Sequence, residues 1–210
     1  MKKLSVILFF GMVTMILSCG QKDPNKQIDE GTVADNIYTS KEIGWQITIP
    51  EGWKVISRER QEIFDKKGVE MMEGVLGEGV VDTDTGEFKN LIGFQKNRFN
   101  LFQSTSEPFE EEYEGQWEEN NKLMKELIYE AYLQQGIDAD STPTITVNVD
   151  GLDFRSYEFT IRSPKGEVIL KQRIHNRLVN GYDFSVNINY NNETDKKIMV
   201  DAWLNSTFAK

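Results

Sequence analysis

The chain has 210 residues and a formal charge of −10, and its 39% hydrophobic and 28% charged residues are typical of a globular protein. The acidic excess disfavours nucleic-acid binding, because phosphate contacts need a surplus of Lys and Arg. A single Cys excludes an intramolecular disulfide and Cys-rich metal clusters, and a single His leaves little room for a His-ligated metal. We therefore expect no cofactor and no metal site.

The N-terminus predicts a lipid anchor. Met1-Lys2-Lys3 is a short positive region, and residues 4–17 form an apolar stretch that is too short to span a bilayer but typical of a signal peptide. Leu17-Ser18-Cys19 resembles a bacterial lipobox. The resemblance implies that residues 1–18 are a lipoprotein signal peptide and that Cys19, the only Cys, carries acyl chains such as palmitate. The alternative is an ordinary secreted protein with a chance Cys.

Residues 19–36 show no hydrophobic periodicity and predict a lipidated flexible tether. By analogy with lipoprotein sorting, Gly20 disfavours retention at the inner membrane, so we expect the outer membrane. Gln21-Lys22-Asp23 resembles the start of a surface-export signal, although Pro24 stands where a second acid is expected. The periplasmic and the surface face of the membrane both stay open.

Residues 37–210 predict a single domain. Alternating apolar residues predict strands at 37–39 and 44–49, and helical spacing with Ser57 as N-cap predicts a helix from Ser57 to Leu76. Strands are expected at 91–94 and 99–102. Pro108 is expected to open a long helix to about Gln135, and a meander of four strands leads to a closing helix around residues 198–203.

Turn chemistry predicts the strand registers of the meander. Asp150-Gly151 is expected to form a two-residue turn that places Val147 opposite Phe154. In the next hairpin we expect Glu158 opposite Lys171, a favourable charge pair across the two strands.

The Asn180-Gly181 hairpin allows two registers. A two-residue turn would place Arg177 opposite Phe184 and so mix polar and apolar residues on one face. A three-residue loop places Ile174 opposite Val186. We expect the second register, because a slip of one residue turns a whole strand over.

Four short motifs carry a family resemblance. They are Gly44-Trp45-x-Ile-x-Ile-Pro50-x-Gly52-Trp53, Val149-Asp150-Gly151, the Asn180-Gly181 turn and the ending 203–208. In this order they resemble the PsbP-like family, which shares its fold with the Mog-type Ran-binding proteins. The resemblance implies an α+β fold over residues 37–210, with an antiparallel sheet flanked by helices in an α/β/α sandwich. It implies no catalytic residues, because the known members mostly bind partners or help to assemble complexes.

One strand carries the main concentration of basic residues. Lys171, Arg173, His175 and Arg177 alternate along it, so we expect them on one polar sheet face. They either pair with acidic groups of the chain, which we favour, or form an anion-binding patch. His175 has no nucleophile motif to act on, so we expect no enzyme activity.

Three further segments have plain and functional interpretations. The acidic run in residues 107–119 is either a solvated helix face or a docking surface for a basic partner or a weakly bound divalent cation. Residues 82–87 resemble a calcium loop, but the spacing of Gly86 and Gly93 does not fit an EF-hand, so a surface turn is expected. Asp140-Ser141-Thr142 is either a plain loop or an envelope O-glycosylation acceptor.

These observations leave two classes of function. We expect a lipid-anchored lipoprotein of the bacterial envelope that acts as a non-enzymatic binding or assembly module with an envelope protein partner. The alternative is a receptor for a small anionic ligand, or an enzyme, that uses the face around His175. A concave pocket at that face would favour the alternative.

Overall fold

Two antiparallel sheets form the framework of the chain, for which a computed structural model describes residues 22–80 and 87–209. The large sheet has the strand order β4-β6-β7-β12-β11-β10-β8, while β5 pairs with β7 and β9 pairs with β10. Its strands are β4 (Lys54–Val55), β5 (Lys89–Asn90), β6 (Phe94–Gln95), β7 (Leu101–Pro108), β8 (Asp138–Ser141), β9 (Ile145–Val149), β10 (Leu152–Arg162), β11 (Val168–Val179) and β12 (Tyr182–Tyr190). The small sheet has the order β1-β2-β3-β13, with β1 (Thr32–Ala34), β2 (Ile37–Thr39), β3 (Trp45–Thr48) and β13 (Thr207–Phe208).

Helices cover the large sheet on both faces. Helices α1 (Arg58–Leu76) and α2 (Gln116–Gln134) pack against each other on one face, and α3 (Glu193–Leu204) packs on the other together with the small sheet. This is the expected α/β/α sandwich, and the helix predicted from Ser57 to Leu76 is confirmed. Within the described residues, no helix is long and apolar enough to cross a bilayer.

The core beneath α3 is aromatic. The Trp45 ring lies 5.0 Å from Phe184 and 6.0 Å from Trp203, and the Trp203 ring lies 4.9 Å from Phe154. All four side chains are fully buried. Edge-to-face aromatic pairs contribute about 0.5–1.5 kcal/mol each beyond the burial of their apolar area. This cluster therefore joins α3, the small sheet and the large sheet into one core.

A second, smaller core lies between the opposite face and the α1–α2 pair. Tyr132 of α2 packs on Tyr157, Phe159 and Ile161 of β10 and on Ile174 of β11. Because alternate residues of a strand point to opposite faces, β10 and β11 contribute to both cores.

The N-terminal segment differs from the expected tether. Asp23 caps a 3-10 turn at Pro24–Lys26, the Asn25 side chain exchanges two hydrogen bonds with the backbone of Val33, and Ile28 is buried. Strand β1 then pairs with β2. The ordered part of the chain thus includes residues 22–36, because side-chain hydrogen bonds hold a segment whose apolar residues are too sparse to show a period. Residues 1–21, including Cys19, lie outside the described residues.

Helix α2 begins later than Pro108. The predicted start is wrong, because β7 runs through Pro108, which pairs with Tyr182, and α2 begins at Gln116 after Gly115. A proline is tolerated at the end of a strand, where its missing N–H removes no ladder bond. The preceding residue, Glu107, still lies in the sheet opposite Asp183, and tertiary pairing therefore overrides the helix-start signal.

The register of the Asp150-Gly151 hairpin is confirmed. Val147 lies opposite Phe154, and both turn residues have positive φ, 50° and 85°, as a type I′ turn requires. In the next hairpin the prediction is wrong, because Glu158 lies opposite Arg173. Arg162 pairs with Val168, one residue beyond the predicted partner, and the irregularity between Ile161 and Arg162 adds one more residue. The total displacement of two residues does not turn β11 over.

The predicted register of the Asn180-Gly181 hairpin is also wrong. Arg177 lies opposite Phe184, and both turn residues have positive φ, 52° and 81°, so the turn has two residues. The prediction assumed that the apolar residues of β11 and β12 share one core. Instead Ile174 belongs to the core beneath α1 and α2, whereas Phe184 belongs to the core beneath α3.

The turn backbone gives a test of this register. Gly181→Ala should lower the free energy of unfolding by about 1 kcal/mol or more, because Ala is strained at a φ of 81° although no atom lies near its Cβ. The matched control is Gly68→Ala in α1, where the added Cβ also meets nothing within 4 Å. It should stabilise the protein by about 0.5–1 kcal/mol. Urea denaturation measures both changes, and equal effects would contradict the turn conformation.

Candidate functional site

The basic residues of β11 lie on the strand face that packs beneath α3, where His175 is buried and the side chains of Lys171 and Arg173 stay 34% and 30% exposed. Arg173 is opposite Ile188 and His175 is opposite Val186, both buried in the core beneath α3. The neutral residues Ser185, Asn187 and Asn189 of β12 lie on the other face, opposite Asn176, Ile174 and Gln172. This correction follows from the register of the Asn180-Gly181 hairpin.

Glu158 of β10 neutralises two of these residues. Its carboxylate accepts hydrogen bonds from Arg173 Nε at 3.0 Å and Nη2 at 2.8 Å, from Lys171 Nζ at 3.3 Å and from the Tyr190 hydroxyl at 2.5 Å. The residue is 8% exposed. Burial opposes ionisation of the carboxyl, but the Tyr190 hydrogen bond and the charges of Arg173 and Lys171 outweigh it and hold the pKa of Glu158 below its usual value. We call these four residues the Glu158 cluster.

His175 is buried and neutral. It is 3% exposed, its ring centroid lies 5.5 Å from that of Trp203, and neither ring nitrogen has a hydrogen-bond partner among the described residues. Burial, with a smaller effect from the charge of Arg173, lowers the pKa of His175 to about 3. A ligand cannot reach the imidazole unless α3 moves.

Arg177 lies near the end of the strand and bonds to backbone. Its Nη1 donates to the carbonyl oxygen of Asp153. The four candidate residues therefore share a strand face but have different partners. Lys171 and Arg173 pair with Glu158, His175 packs against Trp203, and Arg177 donates to a backbone carbonyl. The geometry favours internal pairing over an open anion-binding patch.

The acidic run is divided among several structural roles. Glu107 lies in β7, Glu111 Oε1 accepts from the backbone N–H of Trp117, and Glu118 pairs with Arg155 at 2.8 Å. The indole N–H of Trp117 donates to Asp183 at 3.0 Å. The run therefore does not form the continuous helix face that the sequence suggested, because α2 includes only its last members.

A cavity with a volume of about 230 Å³ lies on the opposite side of the sheet, against the α1–α2 pair. Its floor is polar, and strand pairing sets the arrangement: Gln103 is opposite Asn187, while Thr105 is opposite Ser185, which is opposite Asn176. The other lining residues are Asp65, Asn90, Met124, Ile128, Tyr157, Gln172 and Ile174. We call this space the polar cavity.

Two groups in the polar cavity are unusual for their surroundings. The Tyr157 hydroxyl is buried and has no hydrogen-bond partner among the described residues, and burial raises the pKa of this phenol. The Asp65 carboxylate accepts from Asn90 Nδ2 at 2.8 Å, and burial raises its pKa against the effect of that hydrogen bond. The sequence analysis did not identify this site, although the alternation of Ser185, Asn187 and Asn189 was a usable signal.

Two sequence candidates lie elsewhere in the chain. Asp140 and Ser141 belong to strand β8 and not to a plain loop, and Asp140 pairs with Arg162 at 3.0 Å. Residues 82–86 lie outside the described residues. Across residues 22–80 and 87–209, no group of three or more His, Cys, Asp or Glu side chains is arranged to hold a metal ion.

Comparison with known proteins identifies the fold. No family model matches the sequence, and no curated protein matches it. Among solved structures, the chain is similar to the solution structure of cyanobacterial PsbP (CyanoP) from Synechocystis sp. PCC 6803, with a TM-score of 0.53 and 11% sequence identity. The match covers 85% of this chain and 96% of that chain. The chain therefore has a PsbP-like fold, as the sequence motifs predicted.

The buried His175 predicts an acid sensitivity. The unfolded chain binds a proton at His175 below about pH 6.5, whereas the folded chain does not do so until about pH 3, so stability falls as the pH drops through this window. The slope should approach a tenfold change in the unfolding equilibrium per pH unit. His175→Leu should flatten the slope between about pH 6.5 and 5 in denaturant titrations. Parallel curves for the two proteins would contradict a neutral buried imidazole.

The Glu158 cluster predicts a stability effect for Arg173. Arg173→Ala should lower the free energy of unfolding by about 2–4 kcal/mol, because it leaves the buried Glu158 carboxylate with only Lys171 and Tyr190. The control Arg155→Ala removes an exposed pair with Glu118 and should cost less than about 1 kcal/mol. An unchanged melting temperature for Arg173→Ala, with loss of a salt-sensitive interaction, would support the anion-binding patch instead.

Proposed function

We propose that the protein is a lipid-anchored lipoprotein of the bacterial envelope whose PsbP-like domain acts as a non-enzymatic binding or assembly module. The observation that carries the proposal is the position of the only Cys. Cys19 follows an apolar stretch of signal-peptide length, stands in Leu17-Ser18-Cys19 and lies three residues before Lys22, the first residue that the structure describes. The outer membrane, suggested by Gly20, is the proposed location.

The short distance between Cys19 and the ordered chain has a consequence for the anchored protein. An extended chain spans at most about 3.5 Å per residue, so the Cα atoms of Cys19 and Lys22 are within about 11 Å of each other. Lipid chains on Cys19 would therefore hold the domain next to the headgroups and not at the end of a long tether.

Contacts with α1 fasten the segment that follows the proposed anchor. Lys22 Nζ pairs with Glu59 at 2.6 Å, Arg58 Nη1 pairs with Asp29 at 2.7 Å, and Arg58 also donates to the carbonyl oxygen of Ile28. The N-terminal end of α1 would consequently face the membrane. An assembly module gains from such an arrangement, because the anchor limits both its distance from and its orientation to membrane-bound partners.

Support for binding over catalysis comes from the surroundings of His175. The imidazole lies beneath Trp203 and its pKa is too low for proton transfer near neutral pH. The alternative of an enzyme or an anion receptor at this face has no observation in its favour, and it is not proposed further.

Replacing the proposed anchor residue tests the location. Cys19→Ala should move the protein from the membrane fraction to the soluble fraction or leave it as an unprocessed precursor. The control Ser18→Ala keeps a small residue before the cut and should leave the protein in the membrane fraction. Mass spectrometry of the wild-type N-terminus should show a diacylated Cys19, and an unmodified mature N-terminus at another residue would overturn the proposal.

A further inference from the structure

We propose that the polar cavity between the large sheet and the α1–α2 pair binds one small, neutral polyhydroxy compound of the size of a monosaccharide or cyclitol. The inference depends on the cavity alone and not on the lipid anchor. It therefore stands or falls independently of the proposed location.

The lining groups match hydroxyl groups of a ligand. Ser185 Oγ donates to Asn176 Oδ1, and Asn189 Nδ2 donates to Asn187 Oδ1. The side chains of Gln103 and Thr105 and the amide N–H groups of Asn176 and Asn187 still provide both donors and acceptors to the cavity. A ligand hydroxyl also donates and accepts, so it can satisfy either kind of group. Met124 and Ile128 of α2 provide apolar surface for the carbon skeleton on the opposite wall.

The hydroxyl of Tyr157 is the strongest single pointer to a ligand. Tyr157 is 2% exposed and lines the cavity, and no group of the described residues lies within 3.5 Å and good hydrogen-bond geometry of its hydroxyl, although the Asn176 side chain is near enough to act on its pKa. Buried polar groups in native proteins are normally paired, and each exception calls for a partner. Because burial keeps the phenol protonated, the group can donate to a ligand oxygen or accept from a ligand hydroxyl.

The charge of the site excludes anionic ligands. The residues that line the cavity include Asp65 but neither Lys nor Arg, and the acidic pair Asp183 and Glu107 lies next along the same sheet face. A phosphate or carboxylate would find no cationic side chain in this lining to offset the loss of its hydration. An amine is also disfavoured, because Asp65 is already bonded to Asn90 and burial works against its ionised form.

The cavity is partly open to solvent, and its volume indicates how large a part of a ligand it can hold. At about 30 Å³ per water molecule in the liquid, the cavity of about 230 Å³ corresponds to roughly eight waters. This is below the range of about 300–1,000 Å³ that is typical of drug-sized ligands. One hexose ring or one cyclitol is therefore the appropriate size.

Binding of named probes by the purified full chain in detergent tests the proposal. Glucose, galactose, N-acetylglucosamine and myo-inositol are titrated separately while amide chemical shifts are followed by NMR, with glutamate and putrescine as charged probes. We expect saturable shifts at β7, β11 and β12 with at least one neutral probe and none with the charged ones. Absence of binding by all four neutral probes, or binding of putrescine or glutamate at this site, would overturn the proposal.

Two variants that keep side-chain shape distinguish binding from structure. Tyr157→Phe and Thr105→Val each remove one lining hydroxyl and should weaken binding of the same probe about 3–10-fold, the usual effect of one neutral hydrogen bond. Tyr157→Phe should leave the melting temperature of the free protein equal or higher, because it removes an unpaired buried hydroxyl. The control Tyr129→Phe alters a tyrosine that lines a different groove, beside β8, and should not change binding. Unchanged affinity in both cavity variants would refute the assignment.

Discussion

The large sheet is covered on both faces, and this constraint determines the surroundings of almost every residue of β10, β11 and β12. Strand residues alternate between the core beneath α3 and the side that faces α1 and α2. A side chain in the middle of β11 thus has two possible environments, and Ile174, His175 and Asn176 are buried in one or the other, whereas Val168 and Ile169 at the start of the strand are exposed. Polar residues on these strands must find partners within the fold, because a buried polar group without one is costly.

The Glu158 cluster is the main solution to this problem on the α3 side. Arg173 and Lys171 stand in a row that also holds fully buried apolar residues of β12, and the carboxylate of Glu158 on the neighbouring strand compensates their charge. The surface ion pairs of the chain contribute at most about 1 kcal/mol each, whereas loss of one partner from a buried pair strands a charge. The charge of His175 is not compensated but avoided, because the imidazole stays neutral where it packs against Trp203.

On the side of the sheet that faces α1 and α2, the buried polar groups are accommodated in a different way. Its apolar part, around Phe159 and Ile174, packs on α2, but the central rows of β7 and β12 carry short polar side chains that do not fill the space beneath the helices. The pair Ser185 and Asn176 satisfies itself with a hydrogen bond of 2.9 Å, while the Tyr157 hydroxyl does not. An apolar core would be more stable at this position, and the retention of polar rows is consistent with binding.

The sequence by itself determined the features that depend on local chemistry. The motifs around Trp45 and the Asp150-Gly151 turn predicted the PsbP-like α+β fold, and helical spacing located α1, because a period and a positive-φ turn are properties of neighbouring residues. The alternation of side chains also placed the basic residues of β11 on one strand face, but the expectation that this face is polar was wrong, because it holds buried apolar residues of β12. The lipid anchor at Cys19 is another local feature, and it stays a prediction.

The tertiary structure decided, for each strand, which residues lie against the core beneath α3 and which lie on the side of α1 and α2. The registers after Arg162 and at Asn180-Gly181, the late start of α2 and the ordering of residues 22–36 all depend on contacts between distant segments. If the sheet had a single core, Ile174 and Val186 would be expected on the same face of the sheet. Because the sheet has a core on each face, the two residues lie on opposite faces. The polar cavity shares this origin, because its lining residues come from five strands and two helices and meet only when these are assembled.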